Sequence, residues 1–190
     1  MKPLYFFSDK LLTATVIKLL PRALTPNLIT TSRFITVPII FWLLTQEHYV
    51  VSGVLFIFSA FTDALDGALA RTLDQITDWG KLFDPLADKL LIGATAAVLV
   101  TKFLSFSLAL AIVSAELLLI FFAYYHKYYR HHQVQANYLG KTKMVLQSFG
   151  LIALFIAIIF KAPFFLQLAD GILVAALIFA ILSFFGYRSI

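Results

Sequence analysis

The stretch TDALDGALARTLDQITDWGKLFDPLADKL, residues 62–90, decides how this chain must fold. It holds six of the ten acidic residues of a chain that is 61% hydrophobic: Asp63, Asp66, Asp74, Asp78, Asp84 and Asp88. Carboxylates are costly to bury in apolar surroundings unless a partner compensates their charge. We therefore expect the fold to place these aspartates close together, at a position where a cation can bind them.

The rest of the chain has the composition of an integral membrane protein. Only 13% of its 190 residues are charged, and its mean hydropathy is +0.91, values that soluble globular domains do not reach. The chain contains no cysteine, which excludes disulfides and thiolate metal sites. Any metal must therefore be held by oxygen or imidazole ligands.

Six apolar runs are long enough to cross a bilayer as helices. A hydrocarbon core of about 30 Å takes about 20 apolar residues in an α-helix. The runs lie near residues 27–45, 50–70, 81–101, 103–125, 143–160 and 166–186. The predicted fold class is therefore all-α integral membrane, with six transmembrane helices in one domain that covers residues 26–190.

Residues 1–25 precede this domain as a juxtamembrane arm. Between Leu11 and Leu20 the apolar residues recur at helical spacing, and Lys10 and Lys18 remain for a polar side. This pattern predicts an amphipathic helix on the membrane surface, with a disordered tail as the alternative. The apolar runs are interrupted too often for the core of a signal peptide.

The distribution of Lys and Arg predicts the orientation in the membrane. These residues concentrate in the N-terminal arm, the 71–81 loop, the 126–143 loop and the C-terminal tail, whereas the opposite side has only Lys102 and Lys161. The positive-inside rule then predicts a multi-pass protein of an inner cell membrane or its equivalent. Both termini and the carboxylate cluster are expected on the cytoplasmic side. The pI of about 9.5 then reflects topology and anionic lipid headgroups rather than nucleic acid.

Four of the six aspartates have the spacing of a metal site. Asp63 and Asp66 lie about two turns before the end of the second span, and Asp84 and Asp88 lie in the first two turns of the third. Residues three or four apart share a helix face, so the two pairs face each other across a short loop. Such a cluster suits hard divalent cations, and two Mg²⁺ or Mn²⁺ ions that share ligands are expected. The other two, Asp74 and Asp78, fall in the loop.

Small residues beside the aspartates favour phosphoryl-transfer chemistry. Gly67, Ala68 and Ala70 leave one helix face bare, and Gly80 opens the next helix, so that a phosphate or sugar can approach the backbone. Two-metal sites clamp phosphoryl groups during displacement reactions. A cation-coupled transporter is the alternative, although its acids would more naturally lie near the membrane midplane. A non-catalytic scaffold would have no reason to bear the desolvation of four carboxylates.

The same residues resemble a family signature. From Asp63 to Asp88 the chain reads DxxDGxxARx8GxxxDxxxD, which resembles at every spacing the signature of the CDP-alcohol phosphotransferases. The six spans and the surface helix agree with that family as well. The resemblance implies an enzyme of phospholipid biosynthesis, a homodimer in the lipid bilayer, in which the hydroxyl of a small polar alcohol attacks the lipid-side phosphorus of CDP-diacylglycerol and releases CMP.

The resemblance also implies roles for individual residues. Asp63, Asp66 and Asp84 would be metal ligands, and Asp88 would be both a metal ligand and the general base. The CDP-lipid would contact residues in the first span, the motif and the loop: Pro26, Asn27, Thr30, Gly67, Arg71, Thr77 and Gly80.

Three further segments indicate the acceptor. PNLITTSR (26–33), FDPLADKLL (83–91) and GKTKMVLQ (140–147) resemble segments of the phosphatidylglycerophosphate synthases, which use glycerol 3-phosphate. Arg33, Lys141 and Lys143 would then bind the acceptor's phosphate, because cations at the cytoplasmic mouth suit an anionic acceptor.

One position departs from that subfamily. Ala115 stands before Glu116, where the subfamily usually has Arg before Glu. Other acceptors therefore stay open, namely inositol phosphate, or phosphatidylglycerol as in cardiolipin synthases. Glu116 itself is expected to make a structural hydrogen bond or to support the site from behind its ligands.

Overall fold

The computed structural model describes the backbone of residues 26–72, 78–129 and 138–186. Within these ranges, the side chains of residues 26–30, 63–82, 84, 123–124, 126–129 and 184–186 lie outside the description. The predicted surface helix of residues 1–25 and the predicted ligand-binding residue Thr77 fall outside the described residues, so both stay predictions.

Six α-helices account for nearly all of the described chain, and no strand occurs in it. They are α1 Pro26–Thr45, α2 Tyr49–Thr72, α3 Asp78–Phe103, α4 Phe106–Tyr129, α5 Tyr138–Phe160 and α6 Pro163–Gly186. The all-helical prediction is confirmed, with one helix for each apolar run.

Three helix ends differ from the prediction. α3 begins at Asp78, which was expected in the loop, and α5 begins at Tyr138, so both start before their apolar runs do. α4 extends to Tyr129, into the segment expected to be a loop. Hydropathy detects only the apolar part of a helix, whereas the backbone hydrogen bonds continue through polar residues at its ends.

Within the described ranges, two helices are long and apolar enough to cross a membrane by length and composition, Tyr138–Phe160 and Pro163–Ser183. Shorter apolar helical stretches cover Thr31–Thr45, Tyr49–Thr62 and Phe106–Phe122. The prediction of membrane crossing is thus supported for α5 and α6, and it stays a prediction for the other four helices.

Each helix has one buried stripe with spacings of three or four residues. In α1 the stripe is Arg33, Val37, Ile40 and Leu44; in α6 it is Ala169, Leu173, Ala176, Ala180 and Ser183. Residues at this spacing share a helix face. The outward faces carry exposed apolar side chains, among them Phe58, Phe121 and Phe149, as suits helices surrounded by lipid.

Consecutive helices run in opposite directions, so the bundle has two different ends. α1 packs against α2 and α3, α3 against α4, and α5 against α6, while α5 also contacts α2 and α3. The short connections at residues 46–48, 104–105 and 161–162 share one end, which we name the turn end. The opposite end, where α2 ends and α3 begins, is named the motif end.

Two connections at the turn end close in the same way. Glu47 and Lys161 have left-handed backbones, with φ of 63° and 51°. The amide of His48 donates to the carbonyl of Leu43 at 2.9 Å, and the amide of Ala162 donates to the carbonyl of Ala157 at 3.0 Å. Each bond terminates a helix through a left-handed residue, a position that glycine usually occupies.

An exposed ion pair reinforces one of these turns. The ammonium of Lys102, at the end of α3, lies 2.5 Å from Oε1 of Glu47 and 5.6 Å from the ring centroid of Tyr49. The hydrogen bond to Lys102 lowers the pKa of the Glu47 carboxyl. The same bond raises the pKa of Lys102. The pair thus connects the α1–α2 turn to the end of α3.

Candidate active site

Helix boundaries place the four motif aspartates on two helices at matching depths. At about 1.5 Å per residue, Asp66 and Asp84 each lie about 9 Å from the motif end of their helix. Asp63 and Asp88 lie about 14–15 Å from it by the same measure. Because α3 starts at Asp78, its two aspartates lie in the second and third turns rather than in the predicted first two.

Asp88 is the one motif aspartate whose side chain is described. It is 9% exposed and lies on the buried stripe of α3, between Ala87 and Leu91. The neighbouring Lys89 is half-buried and interacts electrostatically with Asp88. A carboxylate so enclosed requires compensation by charge or hydrogen bonds.

The described side chains include no group of three or more His, Cys, Asp or Glu that could hold a metal ion. Asp63, Asp66 and Asp84 are not among those side chains. The proposed metal ligands therefore stay a prediction, with their backbone positions known.

α1 brings a buried cation to the motif end. The side chain of Arg33 is 1% exposed. Its neighbour Phe34 packs edge-on against Phe83 of α3, with ring centroids 5.9 Å apart. Because Phe83 directly precedes Asp84, this contact ties the first half of α1 to the second half of the motif. The predicted CDP-lipid residues of α1, Pro26, Asn27 and Thr30, lie in the first turns of this helix.

A buried polar network joins α4 to α5. The ammonium of Lys143 pairs with Oε1 of Glu116, and Nε2 of Gln147 donates a hydrogen bond of 2.7 Å to the same oxygen. Each of the three side chains is at most 2% exposed. The expected structural hydrogen bond of Glu116 is confirmed.

Gln147 is the member of this network that the sequence reasoning missed. It stands four residues after Lys143, so the two share a helix face. A polar residue on the same face as a cation, in an otherwise apolar helix, is the signal that would have found it.

The network lies toward the motif end of the bundle, as Asp88 does. Lys143 and Gln147 are about 8 Å and 14 Å from the start of α5, and α5 packs against α3. Lys89 interacts electrostatically with Glu116 and Lys143 as well as with Asp88. By contrast, Lys141 is exposed. Of the two lysines predicted to bind the acceptor, the structure brings Lys143 close to the motif.

The arrangement combines a buried carboxylate with two buried cations, Arg33 and Lys143, and the half-buried Lys89 at one end of an apolar bundle. Arg33, Lys89 and Lys143 come from three different helices. Cations held together away from water interact strongly with phosphate groups. The motif end can thus bind an anionic, polar molecule that reaches it from the membrane surface.

Comparisons with known proteins identify the family. The sequence profile of the CDP-alcohol phosphatidyltransferase family matches residues 23–182. The CDP-diacylglycerol–glycerol-3-phosphate 3-phosphatidyltransferase of Mycoplasma genitalium is 34% identical over 108 residues, 56% of this chain and 45% of that protein. The enzyme of the same name from Aquifex aeolicus is 50% identical over 64 residues, 34% of this chain and 36% of that protein.

A fusion protein named for cardiolipin synthase (CMP-forming) and a mitochondrial hydrolase, from Schizosaccharomyces pombe, is 34% identical over 104 residues, 54% of this chain and 18% of that protein. The chain thus spans less than half the length of each of these three relatives. The family profile, however, covers all six helices nearly end to end, together with the whole motif from Asp63 to Asp88. The resemblance is confirmed: the chain belongs to the CDP-alcohol phosphatidyltransferase family.

Proposed function

We propose that the protein transfers the phosphatidyl group of CDP-diacylglycerol to glycerol 3-phosphate and releases CMP. The observation that carries this proposal is the complete family motif, laid out on α2 and α3 so that its aspartates lie at matching depths. Two relatives are named for this donor and this acceptor. Buried cations at the same end of the bundle suit an acceptor that carries a phosphate.

In the proposed arrangement all six helices cross the bilayer, with both termini and the motif end at the cytoplasmic face. The exposed apolar faces of the helices support the crossing, and the distribution of Lys and Arg supports the orientation. The proposal also includes a homodimer, because the family resemblance implies one.

Asp63, Asp66, Asp84 and Asp88 would hold two Mg²⁺ or Mn²⁺ ions. The donor set fits, because carboxylate oxygens are the ligands that these cations prefer. The buried stripe of α2, formed by Ser52, Phe56 and Ser59, has a register that positions 63 and 66 continue. When bound, the ions would neutralise the diphosphate and the charge that develops on the leaving CMP.

The protein's own residues would perform the remaining steps. Asp88 accepts the proton of the acceptor's hydroxyl group, whose oxygen forms a bond to the lipid-side phosphorus while the bond from that phosphorus to CMP breaks. Arg33 and Lys143 hold the acceptor's phosphate. The apolar bundle limits the access of water, which would otherwise hydrolyse the donor. Residues of α1, α2 and the following segment orient the CDP group: Pro26, Asn27, Thr30, Gly67, Arg71, Thr77 and Gly80.

The test is CMP release from CDP-diacylglycerol and glycerol 3-phosphate by protein in lipid nanodiscs. Asp88→Asn should lower the rate by at least about 10³-fold, because a lost general base costs about 10²–10⁴ and a lost metal ligand adds to that. Asp170→Asn, the same change at an exposed position of α6, is the matched control and should leave the rate unchanged. Full activity of Asp88→Asn, or full activity in EDTA, would contradict the mechanism.

A second candidate has another acceptor for the same chemistry. The cardiolipin synthase fusion among the relatives favours phosphatidylglycerol as the alternative. CMP release with glycerol 3-phosphate, inositol phosphate, inositol, serine and phosphatidylglycerol separates these acceptors. A cation-coupled transporter would instead show substrate-dependent ion flux in proteoliposomes without any CDP-lipid.

A further inference from the structure

Two oxygen atoms of the α4–α5 network receive no hydrogen bond within the described part of the chain. They are Oε2 of Glu116 and Oε1 of Gln147. Lys143 and the Gln147 amide nitrogen both lie at the other oxygen of Glu116. Because Nε2 must face that carboxylate, the amide oxygen of Gln147 faces elsewhere. Buried acceptors without donors are rare in folded proteins, so this pair calls for a donor.

The chemistry of the two oxygens restricts what can fill the site. Both only accept hydrogen bonds, and one belongs to a carboxylate, so a phosphate oxygen would be repelled there. The ammonium of Lys143 pairs with the other carboxylate oxygen and keeps further N–H groups for another partner. A neutral O–H group is a donor that fits a site beside a buried ion pair. A polyol phosphate presents such a group together with an anion for Arg33 and Lys143.

We propose that Glu116 and Gln147 recognise a hydroxyl group of the acceptor that does not react and that donates its single proton to one of their two free oxygens. This inference rests on the proposed function. Glycerol 3-phosphate has two hydroxyl groups, of which one attacks the donor and the neighbouring one remains. Gln147 lies about 14 Å along α5 and Asp88 about 15 Å along α3, each counted from the start of its helix, and the two helices contact each other. The non-reacting hydroxyl binds the network while its neighbour meets Asp88.

Such a site makes the enzyme selective for polyol acceptors. An enzyme that hydrogen-bonds a substrate hydroxyl rejects the analogue without it strongly, because the buried protein groups are then left unpaired. The decisive comparison is glycerol 3-phosphate with propane-1,3-diol monophosphate, which lacks the middle hydroxyl. The wild-type protein should show a kcat/KM at least about 100-fold lower for the analogue.

Gln147→Met removes the amide oxygen and keeps the size of the side chain. It should lower kcat/KM for glycerol 3-phosphate by at least about tenfold and leave the analogue within about threefold of its wild-type value. The ratio between the two acceptors should therefore collapse toward one. Gln167→Met, the same change at an exposed position of α6, should preserve the wild-type ratio.

The ratio separates recognition from a merely structural role. If Gln147→Met lowers kcat/KM equally for both acceptors, the residue only supports the fold, and the proposal is overturned. If the wild-type protein uses both acceptors equally well, the proposal is overturned without any variant. The release of CMP would still support the proposed function. A wild-type protein with no CMP release from any phosphorylated alcohol overturns both.

Discussion

Among the described side chains, two ion pairs have the same chemistry but opposite surroundings. At the turn end, the side chains of Glu47 and Lys102 are 65% and 43% exposed; between α4 and α5, those of Glu116 and Lys143 are 3% and 2% exposed. An exposed pair stabilises weakly and is screened by salt. A buried pair has a desolvation cost that can exceed its attraction, so stability alone does not explain its presence. The difference points to binding as the role of the buried pair.

Lys143→Met should give the largest change in stability. The variant leaves the carboxylate of Glu116 buried without its counter-ion, which costs about 3–5 kcal/mol. The free energy of unfolding in detergent measures this loss. The double variant Lys143→Met/Glu116→Leu should recover most of it, because an apolar pair needs no compensation. A single variant as stable as the wild type would show that the pair is not enclosed.

The same double variant should separate stability from activity. Without Lys143 and Glu116, the acceptor loses a cation for its phosphate and an oxygen for its hydroxyl, so kcat/KM should fall at least about 100-fold. CMP release at several glycerol 3-phosphate concentrations measures this effect. Wild-type activity in the double variant would mean that the pair binds neither the phosphate nor the hydroxyl group of the acceptor.

Glu47→Gln should have little effect on either property. The pair with Lys102 is exposed, and its removal should lower the unfolding midpoint by at most about 2 °C. The rate of CMP release should stay at the wild-type value, because the turn end lies across the bundle from Asp88. A shift as large as that of Lys143→Met would abolish the contrast between the two pairs.

The pH dependence of that small difference follows from the two pKa shifts. The pKa of Glu47 is lowered from its ordinary 4.5. Its contribution to stability is therefore present above about pH 4.5 and is lost as the pH falls through the lowered pKa. The pKa of Lys102 is raised from 10.5, so its contribution is present below about pH 10.5 and is lost as the pH rises through the raised pKa. The midpoint difference between wild type and Glu47→Gln should be flat from about pH 5 to 10 and vanish in stronger acid. A difference that persists at about pH 2 would exclude the ion pair as its source.

The two left-handed turns provide a finer comparison. Lys161 closes α5 as Glu47 closes α1, but it has no ion pair with a described residue. Lys161→Gly should raise the unfolding midpoint by about 2–4 °C, because glycine adopts this backbone without strain. Glu47→Gly should gain less, since it also removes the pair. Equal gains in thermal unfolding would show that Lys102 adds nothing to its turn.

The helices and the aspartate motif could be predicted from sequence, because apolar runs and spacings of three or four residues are local patterns. Contacts between helices could not. Glu116 and Gln147 are 31 positions apart, and the pattern within α5 places Gln147 beside Lys143 without indicating which helix they face. The burial of Arg33 could not be predicted either. An arginine near the start of a helix can equally extend its side chain to the membrane surface.

The buried pair also bears on how the chain enters a membrane. In the proposed six-span arrangement, a lysine within an isolated span opposes insertion, although less so than at the centre of the helix. Glu116 is synthesised before Lys143 and in the preceding helix. We therefore expect α4 to remain beside the insertion machinery until α5 arrives, so that each charge enters the bilayer already neutralised. The two helices would then insert as a single unit.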